Sequence, residues 1–213
     1  MAEPTLFPLG CHTLQGPGLA LRWWPGWLGP QAATALQDRL GAEVPWKQEA
    51  IRLFGRTHAL PRLTCWMADP GCGYRYSGLR QRIEPWHPAV LELINQLELL
   101  CGCRFNAVLL NLYRDGRDAM GWHADDEPEL DADAPIASLS LGASRSFRLR
   151  PKPGMPMPAD AGIGRTLELS HGDLLVMDPP TQRHWQHALP RRLRVHQPRL
   201  NLTFRVVRNS GSA

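Results

Sequence analysis

Apolar positions along the chain follow two different periods, and the change falls near residue 103. Upstream, "QAATALQDRL" sets Ala32, Ala33, Leu36 and Leu40 on one helical stripe. "HPAVLELINQLELLCG" predicts a second helix, with Pro88 near its start and Gly102 just past its last turn. Residues up to about 30, which include "LRWWPGWLGP", read as an irregular leading segment. Residues 44–84 read as loops and strands rich in aromatic and basic side chains. Downstream of Cys103 the pattern shortens to brief strands: "FNAVLLNLY", "IASLSLG", "SFRLR", "TLELS", "DLLVM" and "NLTFRVV". Turn chemistry such as "RDGRD", "DADAP" and "PKPGMPMPADAGIG" separates them. Brief strands with this punctuation predict an antiparallel barrel or a double-sheet jelly roll. The expected architecture is one integrated, mainly β (α+β) domain. Residues 104–213 form its core, and residues 1–103 supply an extension, helices and loops packed onto it.

The alternation within single strands raises a question about faces. In "RLNLTFRVV", Arg199, Asn201, Thr203 and Arg205 share one side and Leu200, Leu202, Phe204 and Val206 the other. A cationic face turned into a barrel is costly unless the interior binds an anion. Two arginines on one face suit a small ligand with a carboxylate at each end, because guanidinium pairs with carboxylate in a fork. The simpler arrangement turns the apolar side to the core and the arginines to water, and the strand alone favours it. "NAVLLNLYRDG" poses the same choice: Asn111 and Tyr113 share a face, and both can donate hydrogen bonds to a carboxylate.

Composition narrows the picture in three ways. Of the 213 residues 43% are hydrophobic and 21% charged, which is enough for an ordinary globular core, and no apolar run reaches the length needed to span a bilayer. The early acid and the Pro and Gly of "MAEPTLFPLGCHTLQGPG" do not make a signal peptide, and five cysteines without a C-x-x-C pair fit free thiols. A cytoplasmic protein with no membrane partner is expected. The net charge of +4 is unevenly spread, with seven arginines and no acid from Pro179 onward. That asymmetry suggests a polyanionic partner, nucleic acid first, although a solvated basic face would look the same.

Candidate chemistry centres on "GWHADDE". His123-x-Asp125 on an extended segment puts an imidazole and a carboxylate on one face. These are two members of the two-histidine, one-carboxylate set that holds non-haem Fe(II), and a further histidine would complete it. A solvated acidic turn is the bland alternative. "TQRHWQHALPRR" supplies His184 and His187, whereas His171 in "LSHGDLL" opens a turn and reads as structural.

With these pieces in order, residues from about 53 to 207 resemble the AlkB-like Fe(II)- and 2-oxoglutarate-dependent dioxygenases, and most closely the branch that repairs alkylated DNA. The resemblance rests on "NLYRDG", "GWHADDE.EL", "PIASLSLGASRSFRLR", "HGDLLVM", "HWQHALP" and "PRLNLTFR". It implies a double-stranded β-helix (jelly roll) with N-terminal helices and nucleotide-recognition loops. His123, Asp125 and His187 would then bind Fe(II). Arg199, helped by Asn111 and Tyr113, would pair with the distal carboxylate of 2-oxoglutarate, with Arg205 near the metal-proximal end and Asn201 supporting the pocket. Phe54 would fill the gap left by a flipped base, and Tyr76 would stack on that base opposite His123. Tyr74, Arg62, Asp126 and Glu127 would complete the base pocket. The implied reaction consumes O2 and 2-oxoglutarate to demethylate bases such as 1-methyladenine and 3-methylcytosine in DNA, and a monomer would suit it. The same chemistry on RNA, a protein or a small molecule, or a non-catalytic nucleic-acid-binding module, are the alternatives. Ala124 departs from relatives that carry a longer polar or basic side chain there, which leaves the choice between DNA and RNA open.

Overall fold

A computed structural model describes residues 10–53, 56–73, 75–76, 79–80, 82–154 and 164–208. Strands β1 (His12–Gly16) and β2 (Leu19–Trp24) pair antiparallel ahead of helix α1 (Pro30–Glu43). Next come β3 (Ala50–Leu53), β4 (Arg56–Ala59), β5 (Leu63–Ala68), β6 (Arg75–Tyr76), β7 (Leu79–Arg80), β8 (Ile83–Glu84) and helix α2 (Pro88–Cys101). The remainder is β9 (Ala107–Tyr113), β10 (Met120–His123), β11 (Ile136–Gly142), β12 (Arg145–Pro151), β13 (Arg165–Leu169) and β14 (Leu174–Met177). A single turn α3 (Thr181–His184), β15 (Trp185–Leu189) and β16 (Arg199–Arg205) follow.

The strands assemble into an eight-stranded sheet in the order β1-β2-β14-β11-β16-β9-β5-β8 and a four-stranded sheet in the order β10-β15-β12-β13. This is the jelly-roll arrangement the strand pattern predicts. Chain-distant strands become neighbours: β16 lies between β9 and β11, with Arg199 opposite Tyr113 and Asn201 opposite Asn111.

Helix α2 explains how the larger sheet tolerates a strand with two demanding faces. Its Val90, Leu93, Ile94 and Leu97 form one buried cluster with Leu200, Leu202 and Phe204 of β16, joined by Ala33 and Leu40 of α1. Each apolar side chain fully buried there contributes about 1.5–3 kcal/mol. The helix starts where His87 accepts the Ala89 N–H and ends at Gly102, whose φ of 69° suits a residue without Cβ. On α1 the buried stripe is narrower than its spacing suggests, since Ala32 is exposed and Leu36 only half-buried.

Two parts of the chain differ from expectation. The leading segment is not irregular: β2 buries Leu19 and Leu21 and pairs with β14 inside the larger sheet. The Trp, Pro and Gly residues mask that alternation, and Pro25-Gly26 marks the end of the strand rather than general disorder of pattern. Strands β10 and β15 are also absent from the predicted set, although they form half of the smaller sheet. No described helix is long and apolar enough to cross a membrane.

Candidate active site

Between the two sheets lies a cleft whose walls come from β9, β10, β11, β12, β14, β15 and β16. At one end, the pairing of β10 with β15 sets His123 directly opposite His187. Two histidines far apart in sequence thereby stand with ring centroids 4.1 Å apart. Asp125 follows just beyond the end of β10. Its backbone N–H donates to Gln182 Oε1 at 2.9 Å, and its Oδ1 accepts from Arg205 Nη2 at 2.7 Å. The ligand atoms of His123, Asp125 and His187 all lie within 4.8 Å of one another, so the structure brings together the three residues singled out in the sequence.

The donor set fits a divalent metal. Asp125 Oδ2 is buried and accepts no hydrogen bond, an expensive state for a carboxylate oxygen unless a cation meets it. Burial works against the Asp125 charge, yet the Arg205 guanidinium and the two histidines hold its pKa down at about 2. Burial and the neighbouring His123 push His187 down to about 3, and burial also lowers His123, so both imidazoles are neutral and free to ligate. His123 Nδ1 donates to the Gly121 carbonyl at 2.9 Å, which fixes the tautomer and leaves Nε2 with its lone pair. Phe147 stacks on the His187 ring at 5.1 Å and holds its plane.

The other end of the cleft is cationic. Arg199 is only 2% exposed, yet its Nη2 donates to Ser140 Oγ at 2.8 Å and its guanidinium lies 5.5 Å from the Tyr113 ring centroid. Among the described residues no carboxylate pairs with it, and its Nε has no partner. Burial depresses its pKa to about 10 against the support of Tyr113, and Arg145 adds repulsion. The question of faces is thus answered by both at once. The arginine side of β16 lines the cleft, while the aliphatic side is equally buried beneath the helices.

Other candidates sort as follows. Asn201 lines the cleft but spends its amide on Ser138 Oγ and the Leu139 carbonyl and accepts from Thr203. Asn111 Oδ1 accepts from Arg62 Nε at 2.8 Å, which ties a residue assigned to the base pocket to one assigned to the cofactor pocket. Asp126 is exposed and ion-paired with Lys152 at 2.6 Å, while Glu127 is half-buried. Phe54 and Tyr74 lie outside the described residues. Tyr76 sits on β6 opposite Leu79, with its side chain outside them. His184 is not part of the metal cluster, and His171 accepts the Gly142 N–H, a structural role. Met120, Phe147, Met177 and Leu189 also line the cleft, as does Ser138; as members of apolar strands the first four are indistinguishable from core in the sequence.

Two sheets enclosing a two-histidine, one-carboxylate cluster and a buried arginine define the class of an iron-dependent oxygenase of the jelly-roll type. A family model described as the 2OG-Fe(II) oxygenase superfamily matches residues 20–205, and the chain belongs to that superfamily, among its AlkB-like members. It is 42% identical over 189 residues to the Bos taurus alpha-ketoglutarate-dependent dioxygenase alkB homolog 3, covering 86% of this chain and 64% of the relative. It is 41% identical over 184 residues to the Homo sapiens DNA oxidative demethylase ALKBH2, covering 84% of this chain and 70% of the relative. The chain therefore spans about two thirds of the length of such relatives. The solved structure titled "The structure of OsALKBH1" shares the fold, with a TM-score of 0.59 over 92% of this chain and 100% of that one at 17% identity.

Proposed function

We propose that the chain is an Fe(II)- and 2-oxoglutarate-dependent dioxygenase that oxidatively dealkylates N-alkylated bases in DNA. Substrates would be bases such as 1-methyladenine and 3-methylcytosine, and the products formaldehyde, succinate and carbon dioxide. One observation carries the reading. A single cleft joins the unpaired Asp125 oxygen, set between two neutral histidines, to Arg199, a buried cation without a carboxylate among the described residues. The names of the relatives, a DNA oxidative demethylase and an alpha-ketoglutarate-dependent dioxygenase, support it.

When bound, the iron with O2 and 2-oxoglutarate supplies the oxidising power to hydroxylate an N-methyl C–H bond. The chain's own residues do the rest. His123, Asp125 and His187 would hold the iron. Arg199 offers a fork to the distal carboxylate, with Tyr113 and Asn111 beside it on β9 and Asn201 beside it on β16. Arg205 keeps Asp125 ionised and aimed by its 2.7 Å contact. The apolar walls Leu109, Met120 and Leu189 keep bulk water from the reacting carbon.

A methyl on the Watson–Crick edge is out of reach inside a duplex, so the base must leave the stack. Phe54 would fill the gap, Tyr76 and Tyr74 would bracket the base, and Arg62, Asp126 and Glu127 would meet its polar edge. Methylation at adenine N1 or cytosine N3 makes the base cationic, and Glu127, with Asp126 once it exchanges Lys152 for the base, would offset that charge.

The test is formaldehyde release from oligonucleotides with one defined N-methyl lesion, as duplex DNA, single-stranded DNA and RNA, omitting iron and 2-oxoglutarate in turn. Release from DNA that needs both is the expected result. Release from RNA alone would move the substrate class, and none from any nucleic acid would overturn the reading.

A further inference from the structure

Arg145 opens β12 and is the most deeply buried arginine among the described residues, at 1% exposure. Its guanidinium donates to three backbone carbonyls: Asp118 at 2.9 Å, Pro190 at 2.7 Å and Asp115 at 3.3 Å. These carbonyls come from the loop between β9 and β10 and from the residue after β15, so one side chain ties together the ends of two paired strands of the smaller sheet. Neutral carbonyls do not cancel its charge. The nearby carboxylates are engaged elsewhere, Asp118 with Arg114 and Asp115 with Arg117. Among the described residues no carboxylate forms an ion pair with Arg145, and its Nε meets no acceptor.

Its position relative to the cleft gives this charge a use. The Arg145 guanidinium lies 5.9 Å from the Tyr113 ring centroid, and that of Arg199 lies 5.5 Å from the same centroid. Tyr113 therefore sits beside two buried cations, neither of which is ion-paired with a carboxylate among the described residues. Two like charges in a low-dielectric site are costly, and the cost falls if an anion with more than one unit of charge enters. A monocarboxylate at the metal end would leave Arg199 without a carboxylate and Arg145 with only the distant support of Asp118 and Asp115, which are paired with other arginines.

We propose that Arg145 is a second cation of the distal-carboxylate subsite, a positioning residue that favours dicarboxylate 2-oxo acids over monocarboxylate ones. It acts through Tyr113, whose ring it holds, and through space, without touching the ligand. The inference rests on the reading of Arg199 as the distal-carboxylate partner.

The test is calorimetric titration of 2-oxoglutarate and of 2-oxobutyrate, which lacks the distal carboxylate, into the Mn(II)-loaded full chain. The variants are Arg145→Met, Arg145→Lys and Arg199→Met. Arg145→Met is expected to weaken 2-oxoglutarate about tenfold and 2-oxobutyrate less than about twofold, with Mn(II) affinity unchanged. Arg145→Lys, which keeps the charge and loses the fork, is expected to recover most of the difference. Equal losses for both acids, no loss, a Lys variant as weak as the Met variant, or failure of both variants to fold would overturn the proposal in favour of a structural role. If Arg199→Met leaves the preference for 2-oxoglutarate intact, the underlying reading of Arg199 fails instead.

Discussion

Strand β16 of the larger sheet and strand β10 of the smaller one both turn functional side chains into the cleft, but they are supported differently. Every residue of β16 is buried, with β9 on one side, β11 on the other and the two long helices behind. Among the described residues β10 is an edge strand that pairs with β15 alone, and its Gly121 and Trp122 are exposed. Its ligand Asp125 lies past the strand end, held by Gln182 and Arg205 rather than by a ladder. The cationic subsite is thus built on a strand that is buried along its whole length and paired on both edges. The metal subsite hangs from an edge and is fixed by side-chain hydrogen bonds. On β16, fold and function separate by face; on β10, they separate by which neighbour is removed.

The largest expected effect is on the back of β16. Leu202→Ala removes a fully buried side chain under α2 and should cost about 3 kcal/mol, read from chemical denaturation. The fraction that folds should bind 2-oxoglutarate normally; a loss below about 1 kcal/mol would mean that the helices do not clamp this strand. Next, His187→Ala should weaken Mn(II) binding by more than about 100-fold, since even outer partners of metal ligands are worth 10–100-fold. Metal titration checks this, and an unchanged affinity would remove His187 from the ligand set. On the front of β16, Arg199→Met should weaken 2-oxoglutarate about 30-fold, yet leave the ligand-free melting temperature unchanged or higher. A buried cation without a carboxylate is a burden to the empty fold, so a marked drop in melting temperature would refute the separation by face.

The same contrast explains what the sequence made legible. Strands β9, β11, β14 and β16 of the larger sheet stand out because both of their faces are buried and carry apolar residues, as in "IASLSLG" and "RLNLTFRVV". β10 and β15 carry the ligands and so break the pattern: "MGWH" and "WQHAL" place histidines where a core strand would place aliphatics. The ligands were found by residue type and order, not by secondary structure. The strand alone favours an Arg199 face turned to water; that face turns into the cleft because the helices bury the opposite, aliphatic one. Arg145 gave no signal at all. An arginine at a strand start reads as solvent-exposed, and the three carbonyls that converge on it in the fold are not visible in the sequence.

The smallest effect concerns the turn that delivers β10. Asp118 accepts from the backbone N–H, Nε and Nη2 of Arg114, which closes the loop between β9 and the edge strand. Burial alone would raise the Asp118 pKa, but these bonds win and hold it below its ordinary 3.8. A carboxylate with a depressed folded-state pKa contributes stability that is present above the unfolded value and is lost as pH falls through the folded one. Asp118→Asn should therefore destabilise the protein by about 1 kcal/mol at pH 7, because Arg114 is half exposed and the pair is partly screened. The variant does not titrate at this position, so the gap between the two proteins should narrow as pH falls below about 4. Denaturation midpoints at pH 7 and pH 3 measure it. A gap that stays constant would mean that the loop is held by its backbone turns, and that the edge strand needs no ion pair to present His123.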